Sequence, residues 1–345
     1  MAQVTGTTWT NSIANSLTMA TNVREDLEDV IFLLDPMDTW ALSNLDRVEA
    51  SAVYHEWLAD SLAGATANRQ IEGADAAFST AAPAQRLGNW TQIAFKTFAV
   101  SDTLEAVEKA GRKSERGRLG MKLLKELKRD VELALVGNQG SSGGAGGAQG
   151  GTATARSSAG MESWIGNGTT TTTQGEASNV VAATASSGST SPGFASGAVA
   201  APTDGTTTGA LTEGQLKAAL QGAWEDGGDP RVILVGAAQK KVIDTFSGIA
   251  TRFVDSAPNK QATIIGAANM YVSSFGSPHM VVLSRYVRSS VVLCIDPDYW
   301  AVAFLRGFSK TPLAKTGEAE KMLISSEFTL VSRNNAASSK VVSAA

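Results

Sequence analysis

Residues 101–136 constrain this chain most, because they read as one charged rod that runs straight into a tract almost without large apolar side chains. At about 1.5 Å per residue such a helix spans roughly 50 Å, about the width of a compact protein of this length. Asp102 and Glu105 are placed to form a capping-box pair, and Gly137 follows the last turn. Leu119, Leu123, Leu127, Val131 and Leu135 step by four along one stripe, joined by Leu124 and Ala134. Gly111, Gly117 and Gly120 each cost about 1 kcal/mol in a helix interior. They predict a kink near Gly111 and close packing near Gly117 and Gly120, with the strongest helical pattern over 118–136. A rod of this length suits a building part better than an enzyme.

The flanks agree with that reading. Residues 47–100 hold two extended arms, VEASAVYHEWLADSL and RLGNWTQIAFKTFAV, around a polar link with few large apolar residues. A hairpin with so long a link lacks a core of its own, but can find one on a neighbouring molecule. Upstream, Val23, Leu27, Val30, Ile31 and Leu34 fall at helical spacing, with Asn22 as N-cap and Asp35-Pro36 as the stop. Downstream, 54 of the 73 residues in 138–210 are Gly, Ser, Thr or Ala, which reads as a linker or as surface loops. Within that tract Met161, Trp164 and Ile165 can anchor a turn on a core. From 211 the texture becomes globular: a helix capped by Thr212, the buried strand RVILVG with a helix after it, and four short strands ending near 306. The tail carries one long, half-polar strand. The class is α+β.

Catalytic constellations are missing from the sequence. Its two histidines, His55 and His279, lie far apart, and no HExxH, CxxC, GxSxG or phosphate-loop pattern occurs. The glycine-rich GSSGGAGGAQGG follows a helix rather than a strand, the wrong side for a dinucleotide. His55 and Trp57 alternate with Glu56 along a strand, so this cluster grips a surface and does not converge on a metal. Asp296, Asp298, Tyr299 and Trp300 read as a turn between strands, and the lone Cys294 as a small buried hydrophobe. No cofactor or metal site is expected. A net charge of −4 argues against nucleic-acid binding through bulk positive charge. The N-terminus has no signal-peptide pattern and no run approaches eighteen apolar residues, so we expect synthesis and assembly in a cytoplasm and no membrane partner.

Six blocks in order, NVREDLEDVIFLLDPMDTW, HEWLADSLA, RLGNWTQI, ELKRDVELAL, ARSSAGMESWI and KTGEAEKMLISSEFTLVSRN, resemble the major capsid proteins of tailed bacteriophages with the Hong Kong-type capsid fold. The resemblance implies an N-terminal arm (1–46), an extended E-loop hairpin (47–98), a spine helix of the peripheral domain (99–137), a Gly/Ser/Thr-rich insertion or set of surface loops (138–210), an axial domain (211–306), and closing peripheral strands with a C-terminal tail (307–345). Tract 138–210 is long for the family. The implied function is non-enzymatic: hexamers and pentamers of an icosahedral shell enclosing double-stranded DNA, found in the virion and assembled in the host bacterial cytoplasm. The implied partners are copies of itself, portal, scaffold or decoration proteins, and DNA in weak, sequence-blind contact. Two alternatives are an encapsulin-like compartment protein of the same fold and a soluble enzyme with an unrecognised site.

Charge suggests how copies meet. Residues 112–132 carry eight basic and four acidic side chains, a net +4, whereas 49–79 hold Glu49, Glu56, Asp60, Glu72 and Asp75 against Arg69, a net −4. Since the E-loop of this fold lies across a neighbouring subunit, the acidic hairpin is expected to be steered onto Lys122, Lys125 and Arg129 next door, with Trp57, Leu58 and Leu62 supplying affinity. Two competing readings of the basic face are charges balanced within one subunit and contact with packaged DNA.

Overall fold

A computed structural model of the chain describes residues 38–60, 62–73, 75, 78, 83–108, 113–144, 154–165, 177–178, 199, 201, 210–246 and 269–342. The helical pattern over Val23–Leu34 and much of 138–210 lie outside the described residues.

The described chain begins with α1 (Trp40–Asn44) and β1 (Asp46–Glu49). Next, β2 (Tyr54–Ala59) and β3 (Gln85–Trp90) pair antiparallel as a separate two-stranded ribbon, with His55 opposite Asn89 and Trp57 opposite Leu87. One residue on, β4 (Gln92–Ser101) enters another sheet, so the second arm read from the sequence is two strands hinged at Thr91. Two donors of Thr91 are engaged: its N–H donates to Val53 O at 2.9 Å and its hydroxyl to Glu327 at 2.9 Å. No local pattern announces that corner.

The rod expected over 101–136 is two helices, α2 (Asp102–Ala106) and α3 (Glu115–Val136). The continuous helix is therefore 22 residues, about 33 Å. Two serine caps, missed in the sequence, set its division. Ser101, not Asp102, caps α2 by accepting the Leu104 N–H at 3.2 Å, and Ser114 caps α3 by accepting that of Gly117 at 3.1 Å. Glu105 instead accepts the Glu115 N–H at 3.0 Å, tying the two helices together. Gly137 ends α3 with φ −73, an ordinary extended value. A Cβ on Gly160 would sit 2.2 Å from the Gly137 carbonyl, so at this helix end the glycine at 160 serves close approach. Gly120 has more room than expected, since an added Cβ would meet the Lys310 amine at 3.5 Å.

After α4 (Met161–Trp164) and β5 (Ala177–Ser178) comes α5 (Glu213–Glu225), started by a Thr212–Gln215 capping box and closed by Gly227 at φ +85. Then follow β6 (Val232–Val235), α6 (Ala237–Ile243), β7 (Met270–Val272), β8 (Pro278–Leu283) and β9 (Val292–Ile295). The long strands β10 (Trp300–Pro312) and β11 (Ala319–Ser332) precede the short β12 (Ser339–Val341).

These strands form a six-stranded sheet, β5-β12-β9-β6-β8-β7, and a four-stranded sheet, β1-β10-β11-β4. Residues 300–306, grouped by pattern with the preceding strands, belong to the four-stranded sheet, and 339–341 return to the six-stranded one. The switch follows the turn at Asp296, whose carboxylate accepts the N–H groups of Asp229 at 3.1 Å and Asp298 at 3.3 Å. Burial runs in opposite directions along β10 and β11: Trp300–Ala303 and Phe328–Ser332 are buried, while the far ends emerge beside the first half of α3. Val131, Leu135, Trp164, Trp300 and Phe328 fill the common core. Each such side chain contributes about 1.5–3 kcal/mol by leaving water. A second core packs α5 and α6 onto the six-stranded sheet around Leu216, Leu220, Ile233 and Cys294.

Candidate assembly surfaces

The base of the β2–β3 ribbon is fixed by a polar centre. Buried Asn89 donates to Leu330 O at 2.8 Å and Ser158 Oγ at 3.2 Å, and its carbonyl accepts the Ala159 N–H at 3.0 Å. Beside it, buried Glu327 receives Thr91, Arg156 at 2.7 Å and Arg306 at 2.9 Å, so two guanidinium groups offset the cost of burying one carboxylate. Sequence reading missed both hubs, because Asn89 finds partners on β11 and the 158–159 segment, and Glu327, itself on β11, finds Thr91 and Arg156, all far along the chain.

Beyond this base nothing in the described chain covers the ribbon's link. Leu58, Leu62, Ile71 and Phe78 are 72, 99, 83 and 100% exposed. Asp60, Glu72 and Asp75 are exposed on the same stretch. Two of the candidates behave differently. Trp57 packs on Trp164, ring centres 5.6 Å apart, and is half-buried against the chain's own core. Glu56 is paired across the ribbon with Arg86 at 3.1 Å. Strand alternation put Trp57 and Glu56 on opposite faces; only the tertiary packing says which face is inside.

On α3, Lys122 is exposed and lies 3.8 Å from Glu126, Lys125 is half-buried, and Arg129 donates to the Tyr286 hydroxyl at 3.2 Å. Arg116 pairs with Glu320, and Arg118 with Glu115. Glu115 and Glu126 are already counted in the +4; beyond the segment, Arg116 is matched by Glu320 and Asp130 by Lys96 at 2.7 Å, one charge of each sign. Met121, Lys125, Arg129 and Leu133 step by four, so one strip carries two basic groups between two apolar ones. Met121 and Leu133 are 61% and 54% exposed.

The other chemical groups are structural. His279 is buried with Nδ1 on Pro230 O and Nε2 2.9 Å from Ser273 Oγ. Burial holds the His55 imidazole below its usual pKa, beside Trp57. Cys294 is fully buried and its thiol is pushed up to about 12 by desolvation. Glu132 is buried on α3, its carboxylate accepting the Ala41 N–H at 2.8 Å and the Leu42 N–H at 2.9 Å. Burial raises its pKa, and those α1 N–H bonds partly oppose the rise. Among the described residues no group of His, Cys, Asp and Glu is arranged to hold a metal, and no helix is long and apolar enough to cross a membrane.

The family model described as SU10 major capsid protein matches residues 3–345. A major capsid protein of Escherichia phage Phieco32 is 26% identical over 336 residues, covering 91% of this chain and 92% of its relative. The structure superposes on the cyanophage A-1(L) capsid with TM-score 0.62 at 13% identity, covering 96% and 99% of the two chains. It superposes on the capsid of a native GTA particle with TM-score 0.58 at 11% identity, covering 95% and 98%. These likenesses show the Hong Kong-type phage capsid fold.

Proposed function

Because the chain belongs to the SU10 major capsid protein family and is a structural subunit of a phage shell, we propose that its copies join through the link of the β2–β3 ribbon laid on α3 of the next copy. One observation carries this: Leu58 near the end of β2 and Leu62, Ile71 and Phe78 on the link stand in water, along a stretch that also exposes Asp60, Glu72 and Asp75. Burying four such side chains is worth roughly 6–12 kcal/mol before the costs of association. The strip Met121-Lys125-Arg129-Leu133, with Lys122 beside it, offers matching apolar ends and positive charge. Asp60, Glu72 and Asp75 would then set orientation and rate, and the leucines and Phe78 the affinity. In this reading the products are hexamers and pentamers of an icosahedral shell around double-stranded DNA, assembled in the host cytoplasm with portal, scaffold or decoration proteins. With a net charge of −4, any DNA contact is weak and salt-sensitive.

The test pairs two variants, with shells counted by electron microscopy. Leu62→Asp with Phe78→Asp leaves the unassembled protein as stable as before and stops closed shells from forming. Lys122→Glu with Lys125→Glu slows assembly, and adding Glu72→Lys and Asp75→Lys restores it. Normal shells from the first variant would refute the docking surface.

A further inference from the structure

Beside the C-terminal half of α3 lies a groove of about 640 Å³, bounded by Thr39, Leu42, Ala50, Lys128, Leu305 and Phe308. Its wall breaks a rule of strand geometry. Neighbouring residues of a strand face opposite sides, yet Phe304 and Leu305 both line this groove. The pairing of β10 with β11 slips between Phe304 and Arg306 and again between Arg306 and Ser309, and these two irregularities re-aim the side chains. At Gly307 a Cβ would meet nothing within 4 Å, so the groove is open there.

The occupant follows from where the chain enters. Thr39, near the start of the described residues, lies on the rim. Immediately before it in sequence comes the stripe Leu27, Val30, Ile31 and Leu34. Only Asp35, Pro36 and Met37 separate Leu34 from Asp38. That tether reaches at most about 14 Å. Residues 22–38 hold Glu25, Asp26, Glu28, Asp29, Asp35 and Asp38 against Arg24, a net −5. Arg47 and Lys128 line the groove with Glu49, a net +1, while Asp38 itself pairs with Arg285 at 3.5 Å.

We infer that this groove seats the apolar stripe 27–34 of the chain's own N-terminal segment, the acidic flank lying toward Arg47 and Lys128. A groove of this size accepts several aliphatic side chains. The short tether favours the chain's own segment over one from another copy, since it holds the stripe at high effective concentration. Glu132 sets the direction of entry by holding the first N–H groups of α1.

The test places Ile31→Cys with Leu305→Cys in the full-length protein and treats it with a short bis-maleimide. Cys294 is fully buried and stays out of the reaction. The expected product is an intrachain 31–305 bridge, mapped by mass spectrometry. It should exceed by at least about tenfold the bridge from Asp29→Cys, on the polar side of the stripe, paired with the same Leu305→Cys. If Leu305→Cys fails to fold, exposed Ser43 on the rim takes its place, paired with Leu34→Cys. Bridges between two chains would assign the groove to another copy and overturn the inference, as would a yield no greater than the control. Shells that close normally without the bridge would reject the groove while leaving the capsid function standing.

Discussion

Replacing Glu132 by Gln tests the reasoning about buried charge most directly. The carboxylate offers one oxygen to each of the Ala41 and Leu42 N–H groups, at 2.8 and 2.9 Å, and is itself fully buried. An amide keeps one acceptor oxygen and turns a donor toward the second N–H, leaving that group unpaired. A buried donor without a partner costs about 1–3 kcal/mol, which raises amide exchange over 38–45 roughly 5- to 150-fold if α1 opens locally. The pH dependence adds a second signature. Burial raises the folded-state pKa of Glu132 above its unfolded value. Its contribution is therefore fully present below the unfolded value and is lost as pH rises through the folded one. The stability of the native protein relative to the Gln variant should grow as pH falls through the raised folded-state pKa toward the unfolded one. Hydrogen exchange measured by mass spectrometry on unassembled protein reads the first effect, and urea denaturation at several pH values reads the second. Unchanged protection of 38–45, or a difference that shrinks on acidification, would refute the assignment.

Gly117→Ala and Gly120→Ala should each raise stability by about 0.5–1 kcal/mol, seen as a higher urea midpoint, because their added Cβ atoms meet only side-chain atoms no nearer than 3.5 Å. Gly228→Ala should lower it by at least about 1–3 kcal/mol in the same assay, since its Cβ would fall 2.2 Å from the Ala337 carbonyl. Cys294, with its thiol pushed up to about 12, should resist iodoacetamide at about pH 8 in the native protein and react on unfolding. Rapid modification without unfolding would contradict its burial.

Much of the local architecture was legible because its signals lie within a few residues. Thr212 and Gln215 cap α5 within one turn, the leucine stripe of α3 has helical period, and RVILVG is a continuous apolar run that becomes a buried strand. The two serine caps were as local and were overlooked in favour of Asp102, which made two helices look like one. The exposed link of the ribbon was also readable, as a polar stretch with isolated large apolar residues. Of the candidate surface residues, Asp60, Leu62, Glu72 and Asp75 are exposed, Glu56 is paired with Arg86, and Trp57 is half-buried against Trp164.

By itself the sequence determined the helical stripe of α3, the capped α5, the buried strand β6 and where charge accumulates, because each depends on residue type and short spacing. Tertiary structure alone decided that 300–306 leaves the sheet formed just before it, that Trp57 faces inward, and that Asn89, Glu132 and Glu327 are buried hubs. Asn89 reaches Leu330, 241 residues away, and Glu327 reaches Thr91 and Arg156. A buried polar group is tolerated only where such partners arrive. Their arrival depends on how the two sheets meet, which no local spacing encodes.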